Sequence, residues 1–407
     1  MSRTSTARHT SQSWTLVLAL FSITSVVEAI CISQIYAFMP LYLQTLGLAP
    51  DLVPRWVGTL SALVFLVGLP LVPFWGVWAD KYSRKAVIIR SSLVEGLVLA
   101  LIALSREPWQ LGASFVLSGF QLGNSGVMLA ALRDIAPSNR VGTTTGVFGA
   151  TFPIGAAIGP AIGGLMVDGF GLPIWTIYAF SALLSVAAAA MLGIGFREIR
   201  PHTIPTGGAL RLAFGAVRGV FTHPITRWLF TLYGIAFLAR QMSSPFLPLV
   251  VQSTHGEGSG LASSVALVMG TAALVGGVIS PLGGAIGDRI GFRPVLILSM
   301  AGCGLLLALM PFAPGVGPLA LINAVFAALN AVVGAMVFGL LATDTPPERR
   351  SATLNLVYLP LYLSGIVGPA IGGVIAAASV SYVFVLAGVV AVLGAVIAAT
   401  QGHDAMQ

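Results

Sequence analysis

The chain is 407 residues long, 57% hydrophobic and only 8% charged, with a mean hydropathy of +0.94. Soluble domains carry about 25% charged residues, so a soluble enzyme is excluded. At about 20 apolar residues per membrane-crossing helix, this length accommodates a dozen spans. The formal net charge of +7 is then a question of how Lys and Arg are sorted across a bilayer, not of a surface for nucleic acid.

In chain order, residues 1–13 are polar and carry Arg3 and Arg8, and an apolar stretch runs from Trp14 past Ala37 with no small-residue cleavage motif after it. The stretch reads as a retained first span, not a removed signal peptide. Apolar runs between charged or Pro/Gly-rich breaks predict helices over 14–37, 55–75, 86–105, 110–132, 143–167, 173–195, 225–250, 261–282, 294–312, 318–342, 353–376 and 381–400. Helices are the only plausible spans, because backbone in lipid must satisfy its own hydrogen bonds and the runs lack the alternation of barrel strands. The expected fold is an all-α integral membrane protein of twelve transmembrane helices in two pseudo-symmetric six-helix bundles.

With a cytoplasmic N-terminus, seventeen of the 20 Lys and Arg residues fall on the inner side, Arg55 and Arg106 on the outer, and Arg240 within a span. This satisfies the positive-inside rule and places both termini in the cytoplasm of a multi-pass protein of the cell (inner) membrane. An odd number of missed helices would scramble the count, so it also checks the span list. The one long connector, 196–224, divides the chain into a bundle over 1–195 and a bundle over 225–407. Within it Arg211 and Arg218 lie seven apart on one face, with Leu212, Phe214, Val217 and Phe221 elsewhere, as expected of an interfacial helix.

The halves repeat. Phe38-Met39-Pro40-Leu41 returns 208 residues on as Phe246-Leu247-Pro248-Leu249, with Gln44 matched by Gln252. At the same offset Gly76, Asp80, Lys81 and Lys85 return as Gly284, Asp288, Arg289 and Arg293, and at 209 Gly159-Pro160-Ala161-Ile162-Gly163-Gly164 returns as Gly368-Pro369-Ala370-Ile371-Gly372-Gly373. Halves of equal topology are related by an axis along the membrane normal, the arrangement behind alternating access around a midplane cavity.

These residues resemble the major facilitator superfamily. Gly76-Val77-Trp78-Ala79-Asp80-Lys81-Tyr82-Ser83-Arg84-Lys85 looks like that family's loop 2–3 signature, with Ser83 where Gly is usual; the second copy keeps Gly291 there. Gly146, Gly155, Gly159-Pro160 and Gly163-Gly164 are similar to the signature of its drug:proton antiporters. The chain most resembles bacterial twelve-span multidrug efflux carriers, which implies a proton-coupled exporter of hydrophobic or cationic drug-like compounds. One element departs: the fourth-span position where those antiporters often carry an Arg implicated in proton coupling is Phe115. The departure weakens the inference to proton antiport and leaves the fold untouched.

Physically, a carboxylate at Asp80 beside Lys81, Arg84 and Lys85 suits a latch that holds the halves in one conformation, by accepting from a helix N-terminus and pairing with Arg. A plain positive-inside loop is the alternative. The glycine ladder of the fifth span permits close helix approach and Pro160 bends the helix, which serves packing or a seal against leakage. Charges in the bilayer are costly and tend to face a cavity or a partner. Glu28 lies in the middle of the first span and Arg240 on the seventh, close enough by the repeat to pair across the halves; Glu28 is the candidate for binding protons or a cationic substrate. Glu95 sits about ten residues into the third span with its orientation open, Arg90 is near enough to the surface to snorkel, Arg133-Asp134 reads as a surface pair, and Asp168 as the cap of its own turn. Gln34, Tyr36 and Met39 of the first span, Gln241, Met242 and Phe246 of the seventh and Asn124 of the fourth are candidates for the wall of a substrate cavity, with ordinary packing the competing role.

Cys31 and Cys303 sit far apart in apolar runs and the five His are isolated, so no metal site is expected. Neither a catalytic constellation nor a phosphate-binding loop is present, so no enzymatic activity and no cofactor is expected. The expected partners are a small-molecule substrate, protons as coupling ion and the lipid bilayer, with no nucleic acid, in a monomer. A carrier of sugars or small metabolites with the same fold, and a membrane receptor or scaffold that has lost transport, are the competing readings.

Overall fold

A computed structural model describes residues 12–200, 208, 224–256, 258–344 and 359–400. Twelve helices within these residues are long and apolar enough to cross a membrane: spans one to six are Trp14–Thr45, Val53–Lys81, Arg84–Leu104, Pro108–Ile135, Val141–Gly169 and Trp175–Gly195. Spans seven to twelve are Arg227–His255, Leu261–Ile290, Phe292–Phe312, Val316–Leu340, Leu359–Ala376 and Val380–Thr400. All twelve expected spans are present. The predicted connector helix near 209–221 and the predicted start of span eleven at 353 lie outside the described residues.

Helix ends differ from the reading of apolar runs in an informative way. Span one continues through Pro40 to Thr45, and span two takes in Pro70 and Pro73 and ends only at Lys81. Gly76 and Asp80, expected in a loop, are therefore helical. The chain turns at Tyr82 and Ser83, and the Ser83 hydroxyl accepts from the Ala86 amide to start span three. Apolar runs report where lipid is, whereas helices extend beyond it until a cap or a turn stops them.

Helix contacts repeat as the sequence does. In the first half, span five lies on span one, with Gly163 against the ring of Phe38; in the second, span eleven lies on span seven, with Gly372 against the ring of Phe246. The same glycine pairs close the halves on each other. A methyl group at Gly164 would sit 3.1 Å from the Ala262 carbonyl of span eight, and one at Gly373 would sit 3.1 Å from Cα of Gly58 in span two. Gln44 and Gln252, the repeat-related pair, exchange two amide hydrogen bonds of 3.0 Å. Residues related by a two-fold axis meet their own counterparts only on that axis, so this pair marks it, at the side opposite the connector.

Span four is not continuous. It is helical over Pro108–Ser118, passes through a tight turn at Gly119–Gln121, and resumes at Asn124–Ile135. Gly119 packs into span two, where a methyl group would lie 2.8 Å from the Gly68 nitrogen, and Gly123 has φ +100°, a conformation that side chains resist. Its repeat counterpart is Ala331, and there span ten runs unbroken from Val316 to Asp344. Span seven has its own interruption at Ser244–Phe246, where Pro245 forces a tight turn.

Candidate functional site

The interior of the first half holds a connected set of polar side chains. Glu28 is 9% and Glu95 2% exposed. Asn124, first residue of the resumed helix in span four, donates through Nδ2 to Glu28 Oε1. Ser185 of span six donates to Glu95 Oε2 at 2.7 Å, and Cys31 Sγ lies 3.4 Å from the same Ser185 oxygen. One turn along, Ser181 donates to Gln34 Oε1, and Gln34 Nε2 donates to the Gly159 carbonyl of span five at 3.0 Å. The two carboxylates and the Cys31 thiol between them lie within electrostatic reach of one another. Buried acids are tolerated when donors reach them, and here spans four and six supply those donors to the acids of spans one and three.

Glu28 and Arg240 do not form an ion pair, since both ion pairs among the described residues belong to Arg84. Arg240 instead lies deep in span seven near Tyr36 of span one and near Tyr233 and Cys303 of its own half. Its guanidinium makes no hydrogen bond or ion pair with a described residue. Tyr36, Arg240 and Gln241 all stay partly accessible in mid-bundle, which is how side chains on a cavity wall look. The other expected wall residues are differently placed: Met39, Met242 and Phe246 are packed in the apolar core, Gln34 is consumed by its two hydrogen bonds, and Asn124 is buried on Glu28. In this conformation those residues are at most 6% exposed and offer no surface to a ligand. Phe115 is likewise buried in the core.

At the connector side the loop motif is a charge cluster within one half. Arg84, 4% exposed, bonds Asp80 at 2.9 Å and Asp134 of span four at 2.7 Å. Asp134 thus belongs to Arg84 and not to its neighbour Arg133. The N-terminus of span three is held by Glu198, just beyond span six, which accepts from the Ser83 hydroxyl and from the Arg84 amide at 2.9 Å. Asp80, expected to cap a helix, leaves that task to Glu198. Lys85 donates to the Gly193 carbonyl at the end of span six at 2.8 Å. Its counterpart Arg293 does the same for span twelve, donating to the Ala398 carbonyl at 2.9 Å. These cations satisfy carbonyls orphaned at helix C-termini. Gly76, Gly284 and Gly146 face open space where a side chain would stand, so packing does not require glycine there in this conformation.

The opposite side carries a contact that local sequence did not signal. Asp168, in the wide turn Leu165–Gly169 ending span five, accepts from the Ser263 amide in the first turn of span eight at 2.6 Å. It caps a helix of the other half, not its own turn. Beside it a space of about 340 Å³ is lined by Gln44, Thr45, Gln252 and apolar neighbours.

The profile of the Major Facilitator Superfamily matches residues 16–276 and again 229–401. The chain is 29% identical over 361 residues, 86% of each chain, to the multidrug resistance protein MdtG of Salmonella typhimurium. It is 32% identical over 288 residues to MdtG of Serratia proteamaculans, covering 69% of this chain and 67% of that one. Its fold is similar to that of the nucleoside transporter NupG (TM-score 0.77, 15% identity, 95% of this chain and 100% of that chain). It is also similar to a bacterial homologue of the lysosomal transporter Spinster (TM-score 0.75, 15% identity, 96% of each). The chain belongs to the Major Facilitator Superfamily and is a twelve-span secondary transporter.

Proposed function

We propose that this transporter exports hydrophobic, drug-like compounds, cationic ones among them, in exchange for protons. The observation that carries the coupling is a carboxylate, Glu28, held in mid-span by a neutral amide donor with no cation bonded to it. Such a group takes up and gives up a proton without breaking an ion pair, which is what a coupling site needs. Glu95, linked to Ser185, is the second acid of that network. Tyr36, Gln241 and Arg240 face the substrate, and Arg240 offers donors to acceptor groups on it. Likeness to multidrug resistance proteins supports the substrate class.

The sorting of Lys and Arg supports placing both termini and the connector in the cytoplasm, and likeness to bacterial multidrug resistance proteins supports a bacterial inner membrane. The contacts at Gly58–Gly373, Gly164–Ala262, Gln44–Gln252 and Asp168–Ser263 then shut the outer side. Alternating access opens these while the inner ends of 1–195 and 225–407 close, with Asp80, Lys81, Arg84 and Lys85 and the second set Asp288, Arg289 and Arg293 meeting the facing half as a latch. A monomer suffices, since both halves are in one chain. Accumulation of a fluorescent cationic dye in cells with and without the gene, each with and without a protonophore, tests the reading. Export is expected to lower dye content only while the proton gradient stands; equal dye content in all four conditions rejects it.

A further inference from the structure

The break in span four exposes two backbone carbonyls inside the membrane, and span three satisfies both. Ser91 donates to the Gln121 carbonyl, and Arg90 Nη2 donates to the Leu122 carbonyl at 3.2 Å. Backbone carbonyls in lipid must be satisfied from within the protein, so a break survives only where such donors reach it. Arg90 is fixed in turn: its guanidinium carbon lies 3.7 Å from the ring centre of Trp75 in span two. Trp75 borders Gly123, where a methyl group would sit 3.4 Å from the tryptophan Cβ. The next residue is Asn124, the donor to Glu28. Trp75, Arg90, Leu122, Gly123, Asn124 and Glu28 are thus one unbroken run of contacts. In the second half, where span ten is continuous, the position of Arg90 is Leu298, 74% exposed.

We propose that Arg90 is a positioning residue for the coupling acid: by holding the span-four break open, it aims Asn124 at Glu28 and sets the proton affinity of that carboxylate. The inference deepens the reading of Glu28 given above. Arg90 acts through geometry, by its bond to the Leu122 carbonyl and its seat on the Trp75 ring; the titratable groups beside Glu28 are Glu95 of span three and Cys31 on its own helix. The Trp75 contact explains why a cation in this leaflet stays with the protein instead of extending to the surface.

The test is the pH dependence of Glu28 modification by dicyclohexylcarbodiimide, which reacts with protonated buried carboxyls. It is followed by mass spectrometry of the peptide carrying Glu28 in protein reconstituted in liposomes. Asn124→Ala is expected to displace the midpoint by about one pH unit, a tenfold change in proton affinity. Arg90→Ala is expected to displace it equally and in the same direction, with no further displacement in the double variant, while Arg90→Lys, which keeps a donor for Leu122, returns toward wild type. If Arg90→Ala folds poorly, Ser91→Ala, which removes the other donor to the break, is expected to move the midpoint in the same direction. A wild-type midpoint in folded Arg90→Ala, or displacements that add in the double variant, overturns the proposal. This readout does not depend on Glu28 carrying the transported proton; that reading fails separately, if Glu28→Gln transports normally.

Discussion

The two halves of this transporter are built alike and furnished differently. Phe38 seats on Gly163 as Phe246 seats on Gly372, and Lys85 caps span six as Arg293 caps span twelve. Yet Glu28, Glu95 and Arg90 of the first half correspond at the 208-residue offset to Ala236, Cys303 and Leu298 of the second. The broken span four answers to an unbroken span ten. At the connector side the Arg84 ion pairs of the first half are replaced by the ring of Phe292, which packs against Gly287 and Gly339. The repeat preserves close helix contacts, because alternating access needs two bodies that dock in the same way. The ionisable chemistry does not need symmetry and is concentrated in one half.

If the cross-half contacts are equivalent, Gly58→Leu and Gly164→Leu must act alike. Overpacking costs about 1–3 kcal/mol, which shifts the balance between the closed and open outer side up to about a hundredfold. The readout is labelling of a cysteine placed at Gln44 by a membrane-impermeant thiol reagent, against buried native Cys31 and Cys303. A large rise for one variant and none for the other breaks the equivalence. Next in size, Phe292→Ala should lower thermal stability in detergent by about 3 kcal/mol, as loss of a packed ring does. The corresponding Arg84→Ala should lower it by about 2 kcal/mol, since Asp80 and Asp134 are partly exposed and water replaces some of what is lost. Salt separates them: the Arg84 effect should shrink in high salt and the Phe292 effect should not. Smallest, Lys85→Met and Arg293→Met should each cost about 0.5–1 kcal/mol, with Arg293 the larger because it reaches both the Ala398 and Ala399 carbonyls.

The twelve spans and the pseudo-symmetric packing were legible because both rest on patterns that survive in linear sequence: apolar length, and a repeat whose glycines mark helix crossings. Buried charges were equally visible as exceptions, and Glu28 and Glu95 were found that way. Their partners were not. Arg84 chooses Asp134, Glu198 caps span three and Asp168 caps span eight because tertiary packing brings together helix ends 50, 114 and 95 residues apart. The break at Gly119–Gly123 was hidden among 48 glycines, most of which serve packing. What sets it apart is the pair of donors that span three sends to it, and those are visible only once the helices are side by side. The Glu28–Arg240 pair that the repeat made possible is absent for the same reason: helix position fixes which span carries a charge but not where a long side chain points.

Glu28 is the carboxylate proposed to couple transport to protons. The decisive experiment is pH-gradient-driven dye uptake into everted membrane vesicles holding equal amounts of wild-type or Glu28→Gln protein. The wild type should accumulate dye while the gradient stands and release it on addition of a protonophore; the variant should let dye equilibrate but accumulate none. Gradient-driven accumulation by Glu28→Gln at the wild-type level would remove Glu28 as the coupling group.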